Sequence, residues 1–223
     1  AGCRQFRLTE VAPRAIARLS DEAVSALTMI FLAFERLGEW CESLNLVLIV
    51  LLPKAEGGRR PIGLFPSLIR VWMRARMCAA REWEVAHASK AMFAGPDMGA
   101  QMAAWQASFA AEAAALGGDH HAQGLLDLVK AFESIPHAVL VWAASCKEYP
   151  MALLRMSLAA YRLRRAISVE GVFSRLIRAT RGITAGSGFA TIELQVIMYD
   201  LVVMLEARWA RCLVVKVYVD DLT

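Results

Sequence analysis

The stretch Cys212–Thr223, CLVVKVYVDDLT, runs apolar and β-branched from Cys212 to Val219 and then delivers two adjacent aspartates, Asp220 and Asp221. Seven of the eight residues from Cys212 to Val219 are apolar, which reads as a buried strand. Two carboxylates side by side repel each other, and at a strand tip they need a cation or a proton between them. Divalent hard cations such as Mg²⁺ take oxygen ligands and are commonly held by one or two carboxylates together with substrate phosphates. A solvated turn would also explain the pair, because Asp is frequent where strands end.

A second acid sharpens the reading. The stretch Gly124–Pro136, GLLDLVKAFESIP, sets Asp127 within another apolar run, Gln123–Leu128, which the sequence presents as a short buried strand. A carboxylate there is expensive unless it is compensated, and a metal shared with Asp220 would compensate it. Two strands that each offer an Asp to a divalent pair form the layout of two-metal phosphoryl transfer. In that chemistry one metal activates the attacking oxygen and the other stabilises the leaving group.

The remaining chain alternates helices and strands irregularly. Ser20-Asp21-Glu22 reads as a helix start, with an amphipathic helix to about Trp40. Leu44–Leu52 reads as a strand stopped by Pro53, and Gly57-Gly58 as the turn of a hairpin returning through Arg60–Leu64. Helices are expected over Ser67–Ser89, Gly99–Leu116, Pro136–Lys147, Pro150–Arg162 and from Gly188 to about Trp209, with a hairpin around Gly171. No internal repeat or low-complexity linker interrupts them. The pattern implies an α+β fold with an antiparallel sheet.

Bulk properties narrow the class. The 223 residues are 57% hydrophobic with a mean hydropathy of +0.43, enough for a sizeable core and too apolar for disorder. No apolar run approaches the ~20 residues a bilayer span needs, so no membrane partner is expected. A membrane-associated helical protein, which the mean hydropathy suggests, would keep the three aspartates far apart. Five scattered cysteines with no CxxC argue against a zinc site or a disulfide partner and for a reducing, intracellular compartment, cytoplasm or nucleus. The net charge is +4, and arginine dominates the cations. Six Arg and no acid lie between Arg59 and Arg81; seven Arg and one acid, Glu170, lie between Arg155 and Arg181. Such stretches suit a polyanion groove.

Together these pieces resemble a known family. DLVKAFESIP and YVDD, about 90 residues apart, are similar to motifs A and C of reverse transcriptases. Between them RGITAGSGFA resembles the family's motif B, and upstream LLPKAEGGRRPIGL resembles its fingers hairpin. All four occur in family order over roughly Leu44–Thr223. The resemblance implies a right-hand polymerase: an N-terminal helical segment (1–43), fingers (44–121) and a palm (122–223) whose antiparallel sheet packs on helices, with no thumb. It implies template-directed addition of dNTPs to a primer 3′-OH on an RNA or DNA template, with Mg²⁺ or alternatively Mn²⁺.

By the same resemblance, Asp127, Asp220 and Asp221 are the catalytic metal ligands, with Leu128 in the metal set. Lys54 and Arg60 hold the triphosphate and stack on the base. Lys130 and Ala131 receive the triphosphate through backbone N–H groups. Phe132 excludes a ribose 2′-OH, and Gly186 lets the motif B backbone approach the nucleotide. Thr184-Ala185 stands where the family usually has Pro-Gln, which removes a contact near the nascent base pair. The sequence ends just after motif C, as expected of a fragment or a decayed retroelement copy. An inactive relic, or a polymerase-like module that only binds nucleic acid, is the competing expectation.

Overall fold

Ser20 opens the first long helix as expected: its Oγ accepts from the Ala23 N–H at 3.3 Å, and Asp21 and Glu22 sit in the acidic first turn. The computed structural model describes residues 13–55, 57–95, 98–210, 212–219 and 221–222. Its helices are α1 (Pro13–Ile16), α2 (Asp21–Leu37), α3 (Ser67–Ala86), α4 (Ala100–Gly117), α5 (Ala131–Ser134), α6 (His137–Cys146), α7 (Met151–Tyr161) and α8 (Ala190–Trp209). Its strands are β1 (Val47–Pro53), β2 (Arg59–Leu64), β3 (Leu126–Asp127), β4 (Arg164–Val169), β5 (Val172–Phe173), β6 (Ile177–Arg178), β7 (Val217–Tyr218) and β8 (Asp221–Leu222). The fold is α+β.

Two sheets result. The larger has the order β2-β1-β4-β5, with β6 also on β4; the smaller has the order β3-β8-β7. β1 and β2 form the expected antiparallel hairpin, but β1 and β4 run parallel, Val47 opposite Arg165. The larger sheet is therefore mixed, while the smaller β3-β8-β7 sheet is antiparallel. β4 reaches β1 only after the long excursion through α3–α7, the crossover that parallel neighbours require. The larger sheet thus draws strands from both sides of position 121.

The core is fixed by an aromatic chain. Phe34, Trp40, Trp72 and Phe189 meet successively at ring-centroid distances of 5.5, 5.3 and 5.7 Å, tying α2 and α3 to the start of α8. Buried indoles need partners for their N–H. Trp40 donates to the Met156 carbonyl (3.1 Å), Trp72 to Glu35 (2.7 Å) and Trp83 to the Lys147 carbonyl (2.7 Å). The Glu35 carboxylate also receives Arg76 at 2.6 and 2.8 Å. Arg155 donates to the Glu35 and Arg36 carbonyls. Part of each arginine-rich stretch is thus structural and does not line a groove.

Two strands differ from their expected form. The Gln123–Leu128 run pairs only over Leu126–Asp127, and Leu125 and Leu126 are 76% and 65% exposed. The stretch Cys212–Val219 is extended into a ladder only at Val217–Tyr218. Both lie in the small sheet, where β3 is an edge strand. Asp127 is therefore exposed, and the desolvation cost expected for it does not arise. Among the described residues no helix is long and apolar enough to cross a membrane, and the cysteines Cys41, Cys78, Cys146 and Cys212 are free.

Candidate active site

β3 and β8 bring the first and last acidic motifs together. Asp127 lies directly opposite Asp221, and Leu126 opposite Leu222, in antiparallel register. Cα atoms of such partners lie about 4.5–5.5 Å apart. Asp220 lies outside the described residues, as does the Asp221 side chain. The separation of aspartates that a membrane-associated helical protein required is not found for this pair. Carboxylate oxygens are hard donors of the type that Mg²⁺ takes, and the register brings the backbones that carry two of them side by side. Among the described side chains no group of three His, Cys, Asp or Glu stands together for a metal.

The turn joining β7 to β8 is strained. Tyr218 pairs with Asp221, leaving a two-residue connection, and its first residue, Val219, has φ 60°. Tight hairpins of this kind favour positive φ there, normally supplied by Gly or Asn. A β-branched residue in that region is a conformational outlier, and such outliers persist where the surroundings over-determine them. β7 is held on its other side as well: Val217 N–H donates to the Ala91 carbonyl (2.6 Å) and its carbonyl accepts from Phe93 N–H (2.8 Å).

Past Asp127 the chain turns sharply into α5. Lys130 has φ 53° and ψ 43° and is exposed. The Ala131 N–H donates to the Leu128 carbonyl at 3.2 Å, so both groups are already engaged in this turn. A phosphate taken by the Ala131 N–H would have to displace that bond, whereas the Leu128 carbonyl keeps a second lone pair for a metal. Phe132 is half-buried against the core, and its carbonyl accepts from Ile183 N–H at 2.7 Å.

That bond belongs to a set that fastens the Gly182–Gly188 loop. Gly182 N–H donates to the Ile135 carbonyl (2.7 Å), and the Gly182 carbonyl pairs with His137 Nε2 (3.0 Å). His137 is buried; desolvation, and secondarily the nearby Arg162 and Arg165, lower its pKa, so the ring is a neutral donor through Nε2. On the opposite side, Gly63 N–H of β2 donates to the Ala185 carbonyl at 2.6 Å. Gly186 has φ 108°, and a Cβ there would collide with the Gly63 carbonyl oxygen. The glycine is required twice, by conformation and by space. Thr184, 4% exposed, turns inward: its hydroxyl accepts from Arg165 at 2.7 Å and its methyl lies over Gly63. Lys54 and Arg60 are exposed on the β1–β2 hairpin, where Lys54 N–H donates to the Gly58 carbonyl (3.1 Å).

The structure thus joins Asp127 to Asp221, and the Gly186 loop to both the Phe132 segment and the β1–β2 hairpin. Among the described residues neither Lys54 nor Arg60 forms an ion pair with Asp127. His137, Arg165 and the buried Glu193 behind the loop were not singled out by sequence reasoning. A lone His or Glu in an apolar helix carries no motif. The charged residues within apolar runs were the only available signal.

No protein-family model matches the chain, and no curated protein sequence matches it. Solved structures of telomerases are similar to it in fold. Apo telomerase from Candida tropicalis truncated from its C-terminal domain aligns with a TM-score of 0.51 at 12% identity, over 82% of this chain and 44% of that one. Telomerase from Candida albicans in complex with the TWJ fragment of telomeric RNA aligns with a TM-score of 0.53 at 10% identity, over 90% and 40%. Apo telomerase from Candida tropicalis gives 0.50 at 11%, over 92% and 43%. The chain therefore spans less than half the length of these proteins, and at this identity the likeness is one of fold: the α+β architecture described above is similar to that of telomerase.

Proposed function

We propose that this chain carries the nucleotidyl-transfer core of an RNA-directed DNA polymerase, with fingers over 44–121 and a palm over 122–223. The observation that carries the reading is the register of Asp127 with Asp221, motif A against motif C. Telomerase-like architecture supports it at the level of fold. Asp127, Asp220 and Asp221 would hold Mg²⁺, which when bound activates a primer 3′-hydroxyl and stabilises the departing pyrophosphate. Phe132 would stand under the incoming sugar. Lys54 and Arg60, both exposed on the hairpin, would neutralise and orient the triphosphate. Gly186 would let the loop backbone lie flat against the fingers strand and the nucleotide together. Template and primer, RNA or DNA, would be the partners, and a retroelement the source.

Primer extension tests this directly. The chain, alone and lengthened by its downstream coding sequence, is incubated with a primed RNA or DNA template, dNTPs and Mg²⁺, beside the Asp127→Asn variant. Extension by wild type and none by the variant is expected. No extension by either wild-type form sinks the enzymatic reading.

One observation favours a non-catalytic second reading. Ala185, which stands where the resemblance places the glutamine, carries only a methyl group, and its carbonyl is taken by Gly63 N–H, so it offers no side-chain contact to a nascent base pair. A relic that binds nucleic acid without extending it predicts template binding with no incorporation in the same assay.

A further inference from the structure

Lys216 is the lone cation in the apolar run that leads to motif C, and among the described residues it makes no ion pair. Side chains alternate along an extended segment. Val215 and Val217 are buried at 7% and 4% exposure, while Lys216 and Tyr218 turn the other way. There they line a cleft of about 520 Å³ with Asp127, Gln123, Ser108 and Ala104. The volume falls within the roughly 300–1,000 Å³ of small-molecule sites. The α4 wall is built of alanines, which leaves the space open. Lys216 is 9% exposed, yet among the described residues it donates to no acceptor and pairs with no carboxylate.

A lysine stem held in so enclosed a position costs rotamer entropy, and a Leu or Met would pack as well. The charge is explained if a ligand supplies the anion. Asp127 on the same cleft wall repels any phosphate brought beside it, and a cation facing the same space offsets that repulsion. Tyr218, 37% exposed, adds a flat apolar surface against which a sugar or base can lie.

We propose that this cleft is a phosphate subsite, in which the Lys216 ammonium binds a nucleotide phosphate next to Asp127; the assignment rests on the polymerase reading. Two sources share that chemistry, the phosphodiester of a primer strand and the phosphoanhydride of a free dNTP.

The test is binding without catalysis, in EDTA, with wild type, Lys216→Met and Lys216→Arg. One arm titrates a fluorescent single-stranded DNA 12-mer by anisotropy at several NaCl concentrations, and the other titrates dATP by calorimetry. Lys216→Met is expected to weaken at least one arm about tenfold, and Lys216→Arg to restore most of it. In the oligonucleotide arm the salt slope should also fall by about 0.7, one phosphate contact's worth. The arm that moves identifies the source. Melting midpoints accompany every variant; if Lys216→Met does not fold, Lys216→Gln takes its place under the same criteria. Wild type that binds neither probe, a variant within twofold of wild type in both arms, or no rescue by Arg overturns the subsite. Failed primer extension with Lys216-dependent binding intact would instead count against the polymerase reading alone.

Discussion

Asp127 and Asp221 face one another as register partners across β3 and β8, although 93 positions separate them in sequence. Two carboxylates so placed repel, and the repulsion weakens when either charge is removed. Asp127 is exposed and pairs with no cation among the described residues, so Asp127→Asn should leave the fold as stable as wild type or slightly more stable. Catalysis should disappear, because a ligand to the metal pair is worth several kcal/mol of transition-state stabilisation. Melting curves with and without Mg²⁺ check both parts. Mg²⁺ should raise the wild-type midpoint and do little for the variant. A variant that melts well below metal-free wild type, with no Mg²⁺ response in either, would make Asp127 a structural acid.

Gly186→Ala should destabilise the chain by about 2–4 kcal/mol, combining a disfavoured backbone conformation with a clash against backbone that cannot swing away. Gly57→Ala is the control. Its φ is 91°, but nothing stands within 4 Å of the added Cβ, so only about 1 kcal/mol is at stake. Chemical denaturation of both variants separates the two contributions. Equal losses would mean that the Gly63–Gly186 contact carries no weight.

The long helices and the β1–β2 hairpin were legible because their signals are local: Ser20 as a cap, Pro53 as a stop, Gly57-Gly58 as a turn. The two acidic segments were legible as motifs but not as environments. Asp127 sits in an apolar run, and periodicity alone cannot say whether such a run is covered. Coverage depends on α4, which approaches from 10–27 residues upstream and leaves a cleft instead of a lid. The parallel β1–β4 pairing was likewise invisible, because register between distant strands is set by tertiary packing. Thr184 could be read as a departure from a family pattern. Its inward turn onto Arg165 could not.

Phe132→Ala, in a form of the protein that extends primers, should relax discrimination between dNTPs and rNTPs. The aromatic ring is the bulk proposed to exclude the 2′-OH. The ring is half-buried against the core, so the variant should also lose about 2–4 kcal/mol of stability, and Phe132→Val should keep more of it. The Phe132 carbonyl, which holds Ile183, is unaffected by either change, so the loop bond survives. Single-nucleotide incorporation with paired dNTP and rNTP titrations measures the ratio. An unchanged ratio in a folded variant removes Phe132 from the nucleotide site.

Glu193 makes stability depend on pH. It is fully buried on α8 directly behind the Gly186 loop, and its carboxyl accepts from the Tyr161 hydroxyl, which also meets Ser187 Oγ at 2.9 Å. Burial drives its pKa up to about 7 against the Tyr161 hydrogen bond; the Ser157 hydroxyl also favours the ionised form without meeting hydrogen-bond geometry. Tyr161 and Tyr149 are themselves pushed up, first by burial and then by Glu193, so both stay neutral phenols. Glu193 Oε1, Ser157 Oγ and Tyr149 OH have no partner among the described residues. The sign follows from the raised pKa. Below the unfolded value of 4.5 both states hold the proton and nothing is lost. Between 4.5 and about 7 the unfolded chain ionises while the folded one does not, so stability falls as pH rises. Above that range the loss levels off at about 3 kcal/mol. Glu193→Gln removes the ionisation and keeps an acceptor for Tyr161. Its melting midpoint should therefore decline less than wild type between pH 4.5 and 7, and exceed wild type at pH 8. Parallel curves for the two proteins across that range would show that Glu193 is ionised in the folded chain and that its burial does not govern the proton.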